Sequence, residues 1–101
     1  MPRYNYNALN TVARKLVDER NFRDALKIYF FMIDGDSTLE AGFYGERIGY
    51  CYEKLGDLHA AKYWYGRASE ENPVIEVYRK ARERLEHVGI DDLIKPSEYT
   101  R

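Results

Sequence analysis

The chain has 101 residues, 45% hydrophobic and 33% charged, the make-up of one soluble globular domain with a modest core. Sixteen basic against 17 acidic residues leave a formal charge of −1, spread evenly enough to favour neither nucleic acid nor an anionic membrane surface as partner. One cysteine excludes an intramolecular disulfide, no apolar run approaches a membrane span, and charges at Arg3, Arg14, Lys15, Asp18, Glu19 and Arg20 argue against an export signal, so a cytoplasmic protein is expected.

Met1 to Tyr6 reads as irregular, with Asn5 or Asn7 able to cap a first helix. From Ala8 the residues Leu9, Val12, Ala13 and Leu16 recur at helical spacing and leave Asn10, Arg14 and Asp18 on the other side. Asn21 starts a second helix with a wide apolar face of Phe22, Ala25, Leu26, Ile28, Tyr29, Met32 and Ile33. The segment Asp34 to Ser37 ends it. Ser37 and Glu40 form a capping-box pattern for a third helix.

The stretch Ile48 to Pro73 is a complete helix, tight turn, helix unit. Gly56 supplies the left-handed residue that ends one helix, and Asp57 caps the next. Gly49 and Ala61 sit where the two antiparallel helices must approach closely, with Tyr52 and Tyr65 filling the wider space around the crossing. Cys51, beside Tyr52, is expected to be a small buried hydrophobe and not a reactive thiol. A shift of 36 residues lays Val12 on Ile48, Ala13 on Gly49, Leu16 on Tyr52, Ala25 on Ala61, Tyr29 on Tyr65 and Met32 on Ala68. Residues 7–34 are therefore an earlier, degenerate copy of the same unit.

Asn72 and Pro73 repeat a helix-start signal, and Tyr78, Ala81, Leu85 and Val88 carry a fifth helix from Pro73 to about His87. The tail after Gly89 has room for one short turn before Pro96; its Ile90, Leu93 and Ile94 could fold back on the last helix, or the tail could be a linker.

Gly49, Tyr52, Leu55, Gly56, Ala61, Tyr65, Ala68 and Pro73 resemble the tetratricopeptide repeat, whose pattern is W-x2-L-G-x2-Y, A-x3-F and P over about 34 residues. Gly45 stands in place of its opening tryptophan, a departure expected to weaken one packing contact. The resemblance implies an all-α fold of antiparallel helix-turn-helix repeats in a right-handed superhelical array. The chain would be a single domain, with repeat 1 at about 7–37, repeat 2 at about 38–72, a capping helix at about 73–88 and a tail at 89–101.

In the family the first helix of each pair lines a concave groove that holds a peptide or helix of a partner protein. Carried over here, that groove would be lined by Asn10, Arg14, Phe43, Arg47, Tyr50, Lys54, Arg79 and Lys80, with Phe43 and Tyr50 as its anchors. These charges could instead pair along their own helices, as Glu76 with Lys80 and Arg79 with Glu83. The family's chaperone-binding subgroup is matched poorly: Asn10 and Glu76 stand where it has lysines, Arg14 and Arg47 where it has asparagines. Phe31 and Tyr63 fall on the otherwise polar outer side and would serve a homodimer interface.

No catalytic motif is present, and no cofactor is expected. Asp34, Asp36 and Thr38 begin like a calcium loop, but Leu39 and Gly45 replace its essential glycine and glutamate. His59 and His87 have no second ligand at metal spacing. The expected function is a non-catalytic protein-interaction module. The alternatives are a structural homo-oligomerisation domain and a small secretion-type chaperone.

Overall fold

The computed structural model describes residues 5–35 and 42–88, and within them the chain is all helical. The five helices are α1 (Tyr6–Asp18), α2 (Phe22–Gly35), α3 (Phe43–Leu55), α4 (Leu58–Glu71) and α5 (Glu76–Arg84). Each packs against the next in chain order.

Helix α1 begins two residues before Ala8 because the Asn5 side chain accepts hydrogen bonds from the amides of Asn7 at 2.9 Å and Ala8 at 3.2 Å. It ends in a Schellman turn. The Asn21 amide donates to Leu16 O at 2.8 Å and the Arg20 amide to Val17 O at 2.9 Å, with Arg20 at φ 63°. The turn between α3 and α4 has the same pattern: Asp57 donates to Tyr52 O at 2.9 Å and Gly56 to Glu53 O at 3.1 Å, with Gly56 at φ 87°. There glycine takes the left-handed conformation without strain. The Asp57 carboxylate then caps α4 by accepting from the Ala60 amide at 3.1 Å.

Ser37 and Glu40 lie outside the described residues. Helix α3 starts behind Gly42, at φ 91°, where a Cβ would come within 2.7 Å of Ala68 O. Helix α5 is shorter than the expected span from Pro73 to His87. Asn72 still belongs to the last turn of α4, its amide donating to Ala68 O at 3.0 Å, and Ile75 donates back to Asn72 O at 3.2 Å. That turn delays α5 to Glu76, and its end tightens into i→i+3 bonds from Leu85 to Val88.

The main core joins Ala13 of α1, six residues of α2 (Phe22, Ala25, Leu26, Tyr29, Met32 and Ile33), and Tyr44, Ile48 and Cys51 of α3. A smaller one gathers Ala61, Tyr65 and Leu85, and Tyr52 packs against both. Helices α3 and α4 are in close contact at Gly49, where a Cβ would lie 2.9 Å from the Tyr65 ring. Gly45, where the tetratricopeptide pattern has tryptophan, faces α4: a Cβ there would stand in ordinary contact with Trp64 O at 3.4 Å and the Ala68 methyl at 3.5 Å. Fully buried Cys51 has its thiol pushed up to about 11 by burial, as an inert core residue should.

Candidate functional site

Helix α3 turns its buried face to α2 and α4, which leaves half-buried Phe43, Arg47 and Tyr50 and exposed Lys54 in a stripe at three- and four-residue spacing. Hollows open on both sides of that stripe. Towards α1, one of about 360 Å³ is lined by Asn10 and Arg14 opposite Phe43, Glu46 and Arg47. A second, of about 250 Å³, is lined by Val17, Asp18, Arg20 and Phe22 opposite Tyr50 and Lys54. Towards α5 lies the largest of these, about 440 Å³, between Glu46, Arg47, Tyr50, Glu53 and Lys54 on one side and Val77, Ala81 and Arg84 on the other, with Tyr65 also lining it. Glu46 and Arg47 border two hollows, and so do Tyr50 and Lys54, so these side chains are walls that neighbouring hollows around α3 share.

Six of the eight residues expected in a groove, Asn10, Arg14, Phe43, Arg47, Tyr50 and Lys54, are thereby brought together. Arg79 and Lys80 line none of these hollows. Arg79 pairs with Glu76 at 3.4 Å and Glu83 at 3.7 Å, and Lys80 with Glu76 at 3.3 Å, along the exposed side of α5. Val77, Ala81 and Arg84 stand in the hollow instead.

The charges around α3 are largely matched within the protein. Arg47 donates two hydrogen bonds to the neighbouring Glu46 carboxylate, at 2.5 and 2.6 Å, and this pairing raises its pKa further above the arginine range. Glu53 accepts from the Tyr65 hydroxyl at 2.8 Å and from both terminal nitrogens of Arg84. The Arg84 bond is the main reason that the Glu53 carboxyl titrates below the usual range, with burial opposing it. Burial, aided by Glu53, pushes the Tyr65 phenol well up. Arg14 and Lys54, by contrast, make no ion pair with another described residue. Lys54 lies 5.4 Å and Arg47 4.8 Å from the centre of the Tyr50 ring. Phe22 meets the same ring edge-on at 6.3 Å. Tyr50 is thus held in place, and Phe43 is half-buried against Tyr44 at 5.6 Å.

On the α2 and α4 side, Phe31 is 46% and Tyr63 59% exposed. Tyr63 contacts Trp64 edge-on at 5.4 Å; Trp64 also meets Phe30 at 5.4 Å and carries Arg67 over its ring at 4.7 Å. This aromatic belt centres on Trp64, which joins α2 to α4.

Sequence reasoning missed the place of Val77 and Ala81 and the link from Glu53 to Arg84. The available signal was the i, i+4, i+7 stripe formed by residues 77, 81 and 84. Among the described residues no group of three or more His, Cys, Asp or Glu side chains is placed to hold a metal ion, and no helix is long and apolar enough to cross a membrane. Comparison with models of known protein families, with curated proteins and with solved structures finds no match.

Proposed function

We propose that the chain is a tetratricopeptide-like interaction module, cytoplasmic and non-catalytic, that holds a peptide or helix of a partner protein in a groove formed by α1, α3 and α5. The observation that carries this reading is that three neighbouring hollows flank α3 and share Glu46, Arg47, Tyr50 and Lys54 as their walls. A series of neighbouring, shallow hollows suits a segment laid along helices better than a small molecule, which would need one enclosed cavity.

Two repeats with a capping helix, wound as a right-handed superhelical array, are part of the proposal. Support comes from the two Schellman turns, since Leu16, Val17, Arg20 and Asn21 lie 36 positions before Tyr52, Glu53, Gly56 and Asp57. The bounds of α2 and α4 differ by the same 36 residues at both ends.

The test is to identify a captured partner, purify it and compare its affinity for the wild type and for a Phe43→Ala, Tyr50→Ala double variant. A central aromatic anchor is worth about 2 kcal/mol or more, so the double change should weaken binding by several kcal/mol. Equal affinity for a folded double variant would remove the groove as the binding site. The exposure of Phe31 and Tyr63 favours a second reading, self-association through the outer face.

A further inference from the structure

The hollow between α3 and α5 differs from its neighbours in how its charges are spent. Glu46 is matched by Arg47 and Glu53 by Arg84, all within the protein, while the opposite wall presents Val77 and Ala81. Val77 is 66% exposed although it faces this hollow, and Val74, in the turn just before α5, is 85% exposed. A charged group entering here would have to compete with ion pairs already formed, and would lose hydration for no new partner. An apolar side chain would gain the surface of Val77, Ala81 and the half-buried ring of Tyr50. The one lining cation without a carboxylate is Lys54, at the same hollow's edge.

Resting on the groove reading, we propose that the α3–α5 hollow selects the partner: it takes a large aliphatic or aromatic side chain of the bound segment, with an acidic residue beside that side chain meeting Lys54. Val77 and Ala81 are then specificity residues, and Arg79 and Lys80, occupied with Glu76 and Glu83, are not. Of this hollow's lining cations only Lys54 is left for the partner, so salt should weaken this contact modestly.

The experiment pans a phage-displayed library of random twelve-residue peptides on the full chain. Affinities of the selected synthetic peptides are then measured for the wild type, Val77→Asp, Val77→Ala, Lys80→Ala and the Phe43→Ala, Tyr50→Ala double variant, with thermal melts to verify folding. Expected are peptides sharing a Leu, Ile, Met or Phe next to Asp or Glu. Their binding should fall about tenfold or more with Val77→Asp, fall less with Val77→Ala, and hold with Lys80→Ala. Peptides without a shared apolar residue, or peptides that bind both Val77 variants as well as the wild type yet lose binding to the double variant, overturn this inference and leave the groove standing. Selected peptides that ignore the Val77 and the Phe43, Tyr50 changes alike overturn both.

Discussion

The Glu53 carboxylate on α3 holds the Arg84 guanidinium on α5, 31 residues further along the chain, and the same carboxylate accepts the Tyr65 hydroxyl of α4. Three helices are therefore tied at one corner of the hollow between α3 and α5. Since the folded-state pKa of Glu53 lies below its ordinary value of 4.5, the stabilisation is present above that value and is lost as pH falls through the folded pKa. Glu53→Gln should cost about 1 kcal/mol at neutral pH. Thermal melts from pH 7 downward should bring the two proteins together in acid; a gap that stays constant with pH would mean that the ion pair contributes nothing.

Close contact between α3 and α4 gives a second expectation. Gly49→Ala places a methyl 2.9 Å from the Tyr65 ring, and Ala61→Leu expands a side chain that has no exposed surface. Each should lower stability by about 1 to 3 kcal/mol in chemical denaturation. Unchanged midpoints would mean that this helix pairing is wrong.

Arg20 offers a change in the opposite direction. It occupies the left-handed position of the first Schellman turn at φ 63°, where its counterpart in the second turn is Gly56. A non-glycine residue there is strained by about 1 to 2 kcal/mol, partly offset by the greater chain entropy that glycine loses on folding. Arg20→Gly should therefore stabilise by roughly 0.5 to 1 kcal/mol. A lower melting temperature would contradict the turn geometry.

The aromatic outer face gives a fourth. If Phe31 and Tyr63 serve self-association, light scattering at rising concentration should reveal a dimer that Phe31→Glu abolishes while leaving helicity unchanged. A monomer at all concentrations would rule out self-association through these rings.

What could be read from the sequence was governed by local chemistry. The turn at Gly56 and Asp57, the approach at Gly49 and the burial of Ala61 and Ala68 each follow from what one residue type allows, and each is present. On α5 the spacing of 77, 81 and 84 shows which residues share a face, not that this face turns to α3. The helix's phase depends on how far the turn after Asn72 carries the chain before helix resumes at Glu76, and Val77 and Ala81, not Arg79 and Lys80, enter the hollow as a result. The pairing of Arg47 was likewise hidden. Its carboxylate is on the adjacent residue Glu46, outside the three- and four-residue spacing by which helix pairs are recognised.

The central claim, that a partner segment lies along α1, α3 and α5, is tested most directly by amide chemical-shift mapping of the ¹⁵N-labelled chain titrated with a selected peptide. The account predicts that the largest shifts fall around Arg14, Tyr50, Lys54 and Val77, with Phe31 and Tyr63 unmoved. Shifts confined to α2 and α4 around Phe31 and Tyr63, with α3 unperturbed, would contradict it.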